Sequence, residues 1–266
     1  MTRLFPVSFC PVSPAPGRTV LVVLLLLSGG AREAAAQRFS YGGDKAHPTQ
    51  SLTFAYTDID FTFDGEEAPA LSFDFTEPAY GGVYTRPGFL FSIAFGRQAA
   101  KTTTERDRRL VDASLLAWGE LNPFQRASSS TVQVFIPIAL HSSYRRVTQD
   151  KSDTNLLDAF DFTVLGLGVG LGVRGEGQRW VLEARAIPII GLAVRSFGDA
   201  TGSSRMLDVD MLLHVGPLFG KFGLSIGYGY RLQRWNISAS DLFPTLNDEL
   251  FDYRGNQQVA RVGISW

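Results

Sequence analysis

The sequence feature that most constrains the fold is the alternation of side chains in residues 257–266. When this stretch is read with the period of two that a β-strand imposes, one face becomes more apolar toward its end. That face comprises Gln258, Ala260, Val262, Ile264 and Trp266. A large aromatic side chain at a terminus that frays in water would be unusual, but it suits a bilayer interface, where aromatic residues form girdles around membrane barrels. We therefore predict that residues 257–266 form the closing strand of a transmembrane β-barrel.

Residues 1–36 have the organisation of a cleaved secretory signal peptide. Arg3 and Arg18 precede an apolar run over residues 20–27, and three alanines at residues 34–36 form a small-residue cleavage site. The run is too short to cross a bilayer as a helix, which needs about 20 residues. We expect residues 37–50 to form a periplasmic tail and residues 51–266 to form the barrel.

The charge and cysteine content of the processed chain suit export and exclude a nucleic-acid partner. The single cysteine, Cys10, lies in the leader, and a chain without cysteine suits an oxidising compartment. Loss of the leader removes three basic and one acidic residue from totals of 25 and 26, and leaves a net charge of −3. That balance supplies no strong positive field for nucleic acid.

Alternating stretches recur along the processed chain, and no run of 18 apolar residues is present. They predict an all-β, antiparallel up-and-down barrel of ten strands, with eight as the alternative. The predicted strands cover residues 51–63, 71–76, 89–96, 111–117, 131–141, 165–173, 180–192, 207–215, 222–231 and 257–266.

The first two strands carry specific expectations about facing. The apolar residues of the first are Leu52, Phe54 and Tyr56 and then, one position out of phase, Ile59, Phe61 and Phe63. This phase change predicts a β-bulge near Thr57 and Asp58 that keeps both sets on the lipid face. In the second strand, Leu71, Phe73 and Phe75 are expected to face outward.

The connections predict the orientation, because transmembrane barrels alternate short periplasmic turns with longer extracellular loops. With both termini in the periplasm, the turns are expected at residues 80–87, 122–129, 175–178 and 216–221. The loops are expected at residues 64–69, 98–108, 144–158, 196–204 and 236–254.

Charged residues on the inward faces predict the content of the lumen. A soluble β-sandwich also alternates, but it seldom buries carboxylates and guanidinium groups, whereas a barrel of about ten strands encloses a narrow polar interior. We predict an ion-pair network that closes this lumen, and a selective ion path is the alternative. Its members are Glu183, Arg185, Asp208, Asp210, Arg231 and Arg261.

Taken together, these features resemble the bacterial outer-membrane β-barrel superfamily, over essentially all of residues 37–266. The closing strand, with Val262, Ile264 and Trp266, resembles the terminal assembly signal of that superfamily. The resemblance implies an outer-membrane location and recognition by the barrel-assembly machinery. Outer-membrane lipids and lipopolysaccharide are the other expected partners, and basic residues in the loop after the third strand could meet lipopolysaccharide phosphates. They are Lys101, Arg106, Arg108 and Arg109.

Two enzymatic alternatives remain open at this stage. His141 and Ser143 share a strand face, and with Asp158 as the acidic partner the spacing resembles the outer-membrane lipid A 3-O-deacylases. Asp58, Asp60 and Asp64 approach the outer rim as in the omptin proteases, but the sequence has no His-Asp dipeptide. No complete metal-ligand spacing is visible, so we expect no metal and no cofactor. The leading hypothesis is a non-enzymatic outer-membrane barrel with a largely plugged lumen and a structural, surface-interaction or narrow-passage role.

Overall fold

The computed structural model describes residues 50–65, 72–100, 107–123, 131–149, 159–195, 201–238 and 250–266. The predicted leader, the tail up to residue 49 and most of the predicted loops lie outside these residues. Within the described part of the chain, no helix is long and apolar enough to cross a membrane.

The described residues form twelve β-strand segments in one antiparallel sheet. They are β1 (Ser51–Gly65), β2 (Phe73–Phe75), β3 (Pro78–Arg86), β4 (Phe89–Gln98), β5 (Arg108–Leu121), β6 (Val132–Gln149), β7 (Ala159–Val169), β8 (Leu171–Glu176), β9 (Trp180–Arg195), β10 (Thr201–Phe219), β11 (Phe222–Ser238) and β12 (Leu250–Ser265).

Pairing of the segments closes the sheet into a ring of ten strands. β2 and β3 both pair with β1, and β7 and β8 both pair with β6 and β9, so each of these pairs of segments is one interrupted barrel strand. The ring closes where β12 pairs with β1 over the full length of β1. Trp266 is held beside this seam by two main-chain hydrogen bonds with Gln50. The prediction of a ten-stranded antiparallel barrel is therefore confirmed.

The two ends of the barrel differ in their connections. At one end, here called the turn end, three of the four connections have two or three residues, at 87–88, 177–179 and 220–221. The fourth covers residues 122–131. At the opposite, loop end the connections are residues 66–72, 99–107, 150–158, 196–200 and 239–249.

Near the turn end, the outer surface of the wall is apolar and forms a continuous band around the barrel. Residues with more than half of their surface exposed here include Phe54, Leu167, Leu171 and Ile264. Inward positions at the same depth are mixed, with Thr53, Ser225 and Arg261 among the buried polar residues. Since exposed apolar area of this extent is costly in water, the band has the character of a lipid-facing surface.

Above this band, toward the loop end, the two faces of the wall exchange character. On β1 the outward side chains change from Leu52, Phe54 and Tyr56 to Asp58, Asp60, Thr62 and Asp64. The inward side chains at the upper level are Ile59, Phe61 and Phe63, and all three are buried. The upper section is thus polar outside and apolar inside, like a soluble barrel.

This exchange corrects the predicted facing of the first two strands. β1 keeps one uninterrupted register with β12, and its burial alternates strictly, so no bulge interrupts it at Thr57 and Asp58. In the second strand, Phe75 is buried in the lumen and Asp74 lies on the other face, so the predicted outward facing of Phe75 is wrong. The side chains of Leu71 and Phe73 lie outside the described residues.

Several of the predicted turns and loops are also too long. Residues 80–86 belong to β3, and the turn is at residues 87–88. At the loop end, β6 continues to residue 149 and β10 begins at residue 201. β11 continues to residue 238, and β12 begins at residue 250. β6, β10, β11 and β12 extend past the apolar band, where the outward side chains become polar and the stretch no longer reads as a membrane strand.

Candidate functional site in the barrel lumen

The lower lumen is crossed by a cluster of charges centred on Asp210 of β10. Arg261 lies 2.7 Å and Arg185 lies 3.1 Å from the Asp210 carboxylate, and all three side chains are almost fully buried. The guanidinium of Arg185 also lies 3.8 Å from the ring centroid of Trp118, which extends from β5 on another side of the ring. The cluster therefore joins the wall at β5, β9, β10 and β12 across the interior.

Two further ion pairs continue this network. Arg231 of β11 is 3.0 Å from Asp208 of β10. Nearer the turn end, Arg174 lies 2.7 Å from Glu183 and 2.8 Å from Glu120, and Glu183 also lies 3.2 Å from Arg185. The Arg174 guanidinium stacks over Phe135 at 5.1 Å. Hydrogen bonds and opposite charges at these distances offset the cost of removing the ions from water.

All six residues of the predicted network therefore lie in the lumen and form ion pairs with one another. Glu120 and Arg174 were not among the predicted members, because they lie just beyond the ends of the predicted strands at residues 111–117 and 165–173, although Arg174 is paired directly with Glu183 on the neighbouring strand. Trp118 was also left unassigned, although its position in the alternation of β5 pointed inward. That parity was the signal that could have placed Trp118 in the lumen.

A second polar cluster lies higher in the lumen and spans its full width. Arg145 of β6 donates to Asp112 at 2.8 Å and to Gln257 of β12 at 3.2 Å, and β6 and β12 stand on opposite sides of the ring. Gln257 donates to the other Asp112 oxygen at 3.1 Å, and Arg145 also donates to the Tyr253 hydroxyl. Arg145 lies in the predicted loop at residues 144–158, because the predicted strand ends at His141.

Aromatic side chains fill the lumen at the level where the outer wall becomes polar. Trp235 and Tyr253 stack with ring centroids 4.5 Å apart, and Phe61 lies 5.8 Å from Phe160 on the opposite side of the ring. Further members of this aromatic cluster are Phe63, Phe75, Phe162 and Phe251. Stacked and tilted rings at these separations gain energy beyond their buried area.

Two small cavities lie between these layers. A cavity of about 40 Å³ adjoins the Asp208 and Asp210 ion pairs, and one of about 10 Å³ lies beside Arg145 and Tyr253. Since one water needs on the order of 10–15 Å³, these cavities hold a few water molecules at most.

Inward-facing glycines on two strands make room for different neighbouring side chains. A Cβ on Gly227 of β11 would lie 2.3 Å from the Arg261 Nε atom, so this glycine makes room for the arginine that reaches Asp210. A Cβ on Gly172 would instead meet the ring of Phe135 at 2.2 Å.

The residues of the deacylase-like alternative do not form a visible catalytic arrangement. His141 and Ser143 both point into the lumen and are buried. Neither ring nitrogen of His141 has a hydrogen-bond partner among the described residues. Asp158 lies outside the described part of the chain. Asp58, Asp60 and Asp64 of the omptin-like alternative lie on the outer face of β1, not in the lumen.

The predicted partner-binding residues are placed as follows. Val262 and Ile264 of the predicted assembly signal point outward and are about half exposed, and Trp266 is partly buried. Of the four basic loop residues, Lys101 and Arg106 lie outside the described residues, Arg109 is exposed, and Arg108 donates to the Asp74 main-chain oxygen at 2.6 Å. At the same rim, the Arg97 guanidinium donates to Asp107 and lowers the pKa of that carboxyl.

Comparisons with known proteins find similarity in the fold alone. No family model and no curated protein matches the chain. Among solved structures, the outer-membrane protease OmpT of Escherichia coli is 9% identical, with 82% of this chain and 93% of that chain covered and a TM-score of 0.36. OprG of Pseudomonas aeruginosa is 9% identical, with 84% and 98% covered and a TM-score of 0.33. Ail of Yersinia pestis is 9% identical, with 81% and 99% covered and a TM-score of 0.26.

Proposed function

We propose that this chain is an integral protein of the bacterial outer membrane whose lumen is sealed and whose working surface is the section of barrel above the membrane. The observation that carries the proposal is the exchange of character along the wall. The lower section has an apolar outer surface, as a lipid environment requires. The upper section has a polar outer surface and an apolar interior, as water outside the membrane requires.

The contents of the lumen support the sealed state. An ion would have to pass the aromatic cluster, then the Arg145 cluster, and then the layer in which Arg185 stacks on Trp118. Buried ion pairs hold the charged side chains in place, because separating one pair strands an uncompensated charge. This arrangement favours a structural or surface-interaction role over a passage for solutes.

The lumen also weighs against an enzymatic role for His141 and Ser143. A lipid substrate would approach the outer face of the wall, whereas these two side chains are enclosed behind it. We further propose that Val262, Ile264 and Trp266 are recognised by the barrel-assembly machinery, since Val262 and Ile264 are exposed on the outer face of the seam strand and the partly buried Trp266 directly follows that strand.

The test is the electrical behaviour of the purified protein in planar lipid bilayers. We expect insertion without stepwise conductance. Insertion is checked independently by recovery of the protein from lipid vesicles after a high-salt wash. Reproducible conductance steps from the inserted protein would overturn the sealed lumen, and a processed chain that stayed soluble without detergent would overturn the membrane location.

A further inference from the structure

Three arginines form a row on the outer surface of the barrel. The strand register pairs Arg205 of β10 with Arg234 of β11, and pairs Arg234 with Arg254 of β12. All three side chains point outward and are exposed. Directly paired residues on neighbouring strands lie about 5 Å apart, so three guanidinium groups emerge side by side. We call these three residues the arginine row.

The charges of the arginine row are only partly neutralised. Like charges directly opposite one another destabilise a sheet, so such a row is unfavourable without a counter-charge. Within the described chain, Arg254 lies 3.6 Å from Asp252, and both of these side chains are at least half exposed. Arg205 and Arg234 have no acidic partner within 4 Å among the described residues.

Among the residues that the structure describes, the acidic side chains paired with or flanking the arginine row lie at its Arg254 end. On β1, the residue paired with Arg254 is Thr62, and it is flanked on the same outer face by Asp60 and Asp64. At the other end, Arg205 pairs with Ile190 of β9, which is 72% exposed. The Arg205 and Arg234 end of the row is therefore positive and borders apolar surface.

The position of the row identifies the level of the membrane at which it lies. The next outward residues toward the turn end are Leu207 below Arg205 and Leu232 below Arg234, and these two leucines are paired with each other. They mark the upper edge of the apolar band on these strands. The headgroups of a bilayer lie directly outside its hydrocarbon core, so the arginine row meets the phosphate level of the outer leaflet.

We propose that Arg205, Arg234 and Arg254 bind the phosphate groups of lipopolysaccharide packed against β10, β11 and β12. A guanidinium group presents paired donors that match phosphate oxygens, and it keeps its charge at any physiological pH. A row of three such groups suits a lipid that carries more than one phosphate, and Leu207 and Leu232 lie below it to contact the acyl chains. The inference rests on the proposed outer-membrane location with the loop end facing outward.

The test compares lipid binding by two variants that lose the same charge. The first replaces the arginine row, as Arg205→Gln, Arg234→Gln and Arg254→Gln. The control replaces three exposed basic residues at the turn end, as Arg86→Gln, Arg179→Gln and Lys221→Gln. Binding of lipid A with two phosphates to the detergent-solubilised barrel is measured by native mass spectrometry, with dephosphorylated lipid A as the second ligand.

We expect the row variant to bind phosphorylated lipid A about tenfold more weakly or worse, since each lost phosphate contact removes a few-fold in affinity. The affinity of the control variant for phosphorylated lipid A should stay within about twofold of that of the unmodified protein. The unmodified protein should bind dephosphorylated lipid A as weakly as the row variant binds phosphorylated lipid A. Equal losses in both variants, or no loss in the row variant, would overturn the proposal. So would row-dependent binding of heparin without binding of lipid A, because the row would then serve a soluble polyanion.

Folding of each variant is checked by the heat-dependent shift of the barrel in gel electrophoresis, and the single Arg234→Gln variant supplies a milder version with an expected few-fold loss. The outcome is separable from the test of the sealed lumen. A conducting barrel that still bound lipid A through the arginine row would contradict only the proposed function. A silent barrel with unchanged lipid A binding in the row variant would contradict only this inference.

Discussion

At the scale of single residues, the packing of side chains in the lumen depends on which inward-facing positions are glycines. Arg261 can reach Asp210 because its direct partner on β11, Gly227, leaves its path open. Gly229 lies two positions further along the same face, and a Cβ there would meet its nearest atom, Asp210 Oδ1, at an ordinary 3.6 Å. The two glycines therefore look alike in the sequence but differ in what they permit.

The Gly227→Ala and Gly229→Ala variants form a matched pair that tests this difference. We expect Gly227→Ala to lower the free energy of unfolding by about 1–3 kcal/mol, because its methyl group displaces Arg261 and loosens a buried ion pair. Gly229→Ala should change it by about 0.5 kcal/mol or less. Urea titration of the protein in lipid vesicles measures both, and equal effects of the two substitutions would show that Arg261 does not depend on the gap at Gly227.

At the scale of elements, β1 shows why the alternation of apolar residues is not enough to assign facing. The apolar residues of the first strand form two sets that are one position out of phase. A bulge would explain this pattern if lipid surrounded the whole strand. In the structure the strand is regular, and its exposed outer side chains change instead, from apolar residues up to Tyr56 to mostly acidic ones from Asp58. With the proposed membrane boundary at this level, the apolar set belongs on the inner face above it.

Strand order and inward or outward parity predict some contacts in the lumen but not others. Pairs on adjacent strands, such as Arg185 with Asp210, follow from parity and strand order alone, and the lower parts of most strands were assigned correctly. Contacts between strands that face each other across the ring, such as Arg145 with Gln257, depend on strand number and stagger. Those are set by closure of the whole barrel, so the Arg145 cluster was missed.

Single cysteines along β1 test its continuous register, since the only cysteine of the sequence lies in the leader. A membrane-impermeant maleimide applied to intact cells should label Asp60→Cys, which faces water, and should leave Phe61→Cys and Phe54→Cys unlabelled. Phe61 is buried in the lumen, and Phe54 faces the apolar band. Protection of Asp60→Cys on intact cells, with labelling only after denaturation, would restore the bulge, which turns Asp60 inward and Phe61 toward lipid, and would reject the register with β12.

At the scale of the whole molecule, the proposed sealed lumen has two closures along the barrel axis, formed by different physical means. The upper section is closed by apolar packing of the aromatic cluster, as in the core of a soluble protein, together with Arg145, whose guanidinium lies 5.1 Å from the ring centroid of Phe61. The lower section is closed by ion pairs and by the stacking of Arg185 on Trp118, within the level of the apolar band. We expect either closure alone to block ions if the other is removed.

Two closures in series predict that the lumen conducts only after both are opened. Phe61→Ala with Phe160→Ala removes facing rings from the upper closure, and Trp118→Ala with Arg185→Ala removes the stacked pair from the lower one. Each double variant should remain silent in planar bilayers, although every large-to-small change costs about 3–5 kcal/mol of stability. The quadruple variant should show stepwise conductance, provided that it retains the heat-dependent gel shift of a folded barrel. A folded quadruple variant that stayed silent would mean that the Arg145 cluster closes the lumen by itself, and conductance from either double variant would mean that the remaining closure does not seal.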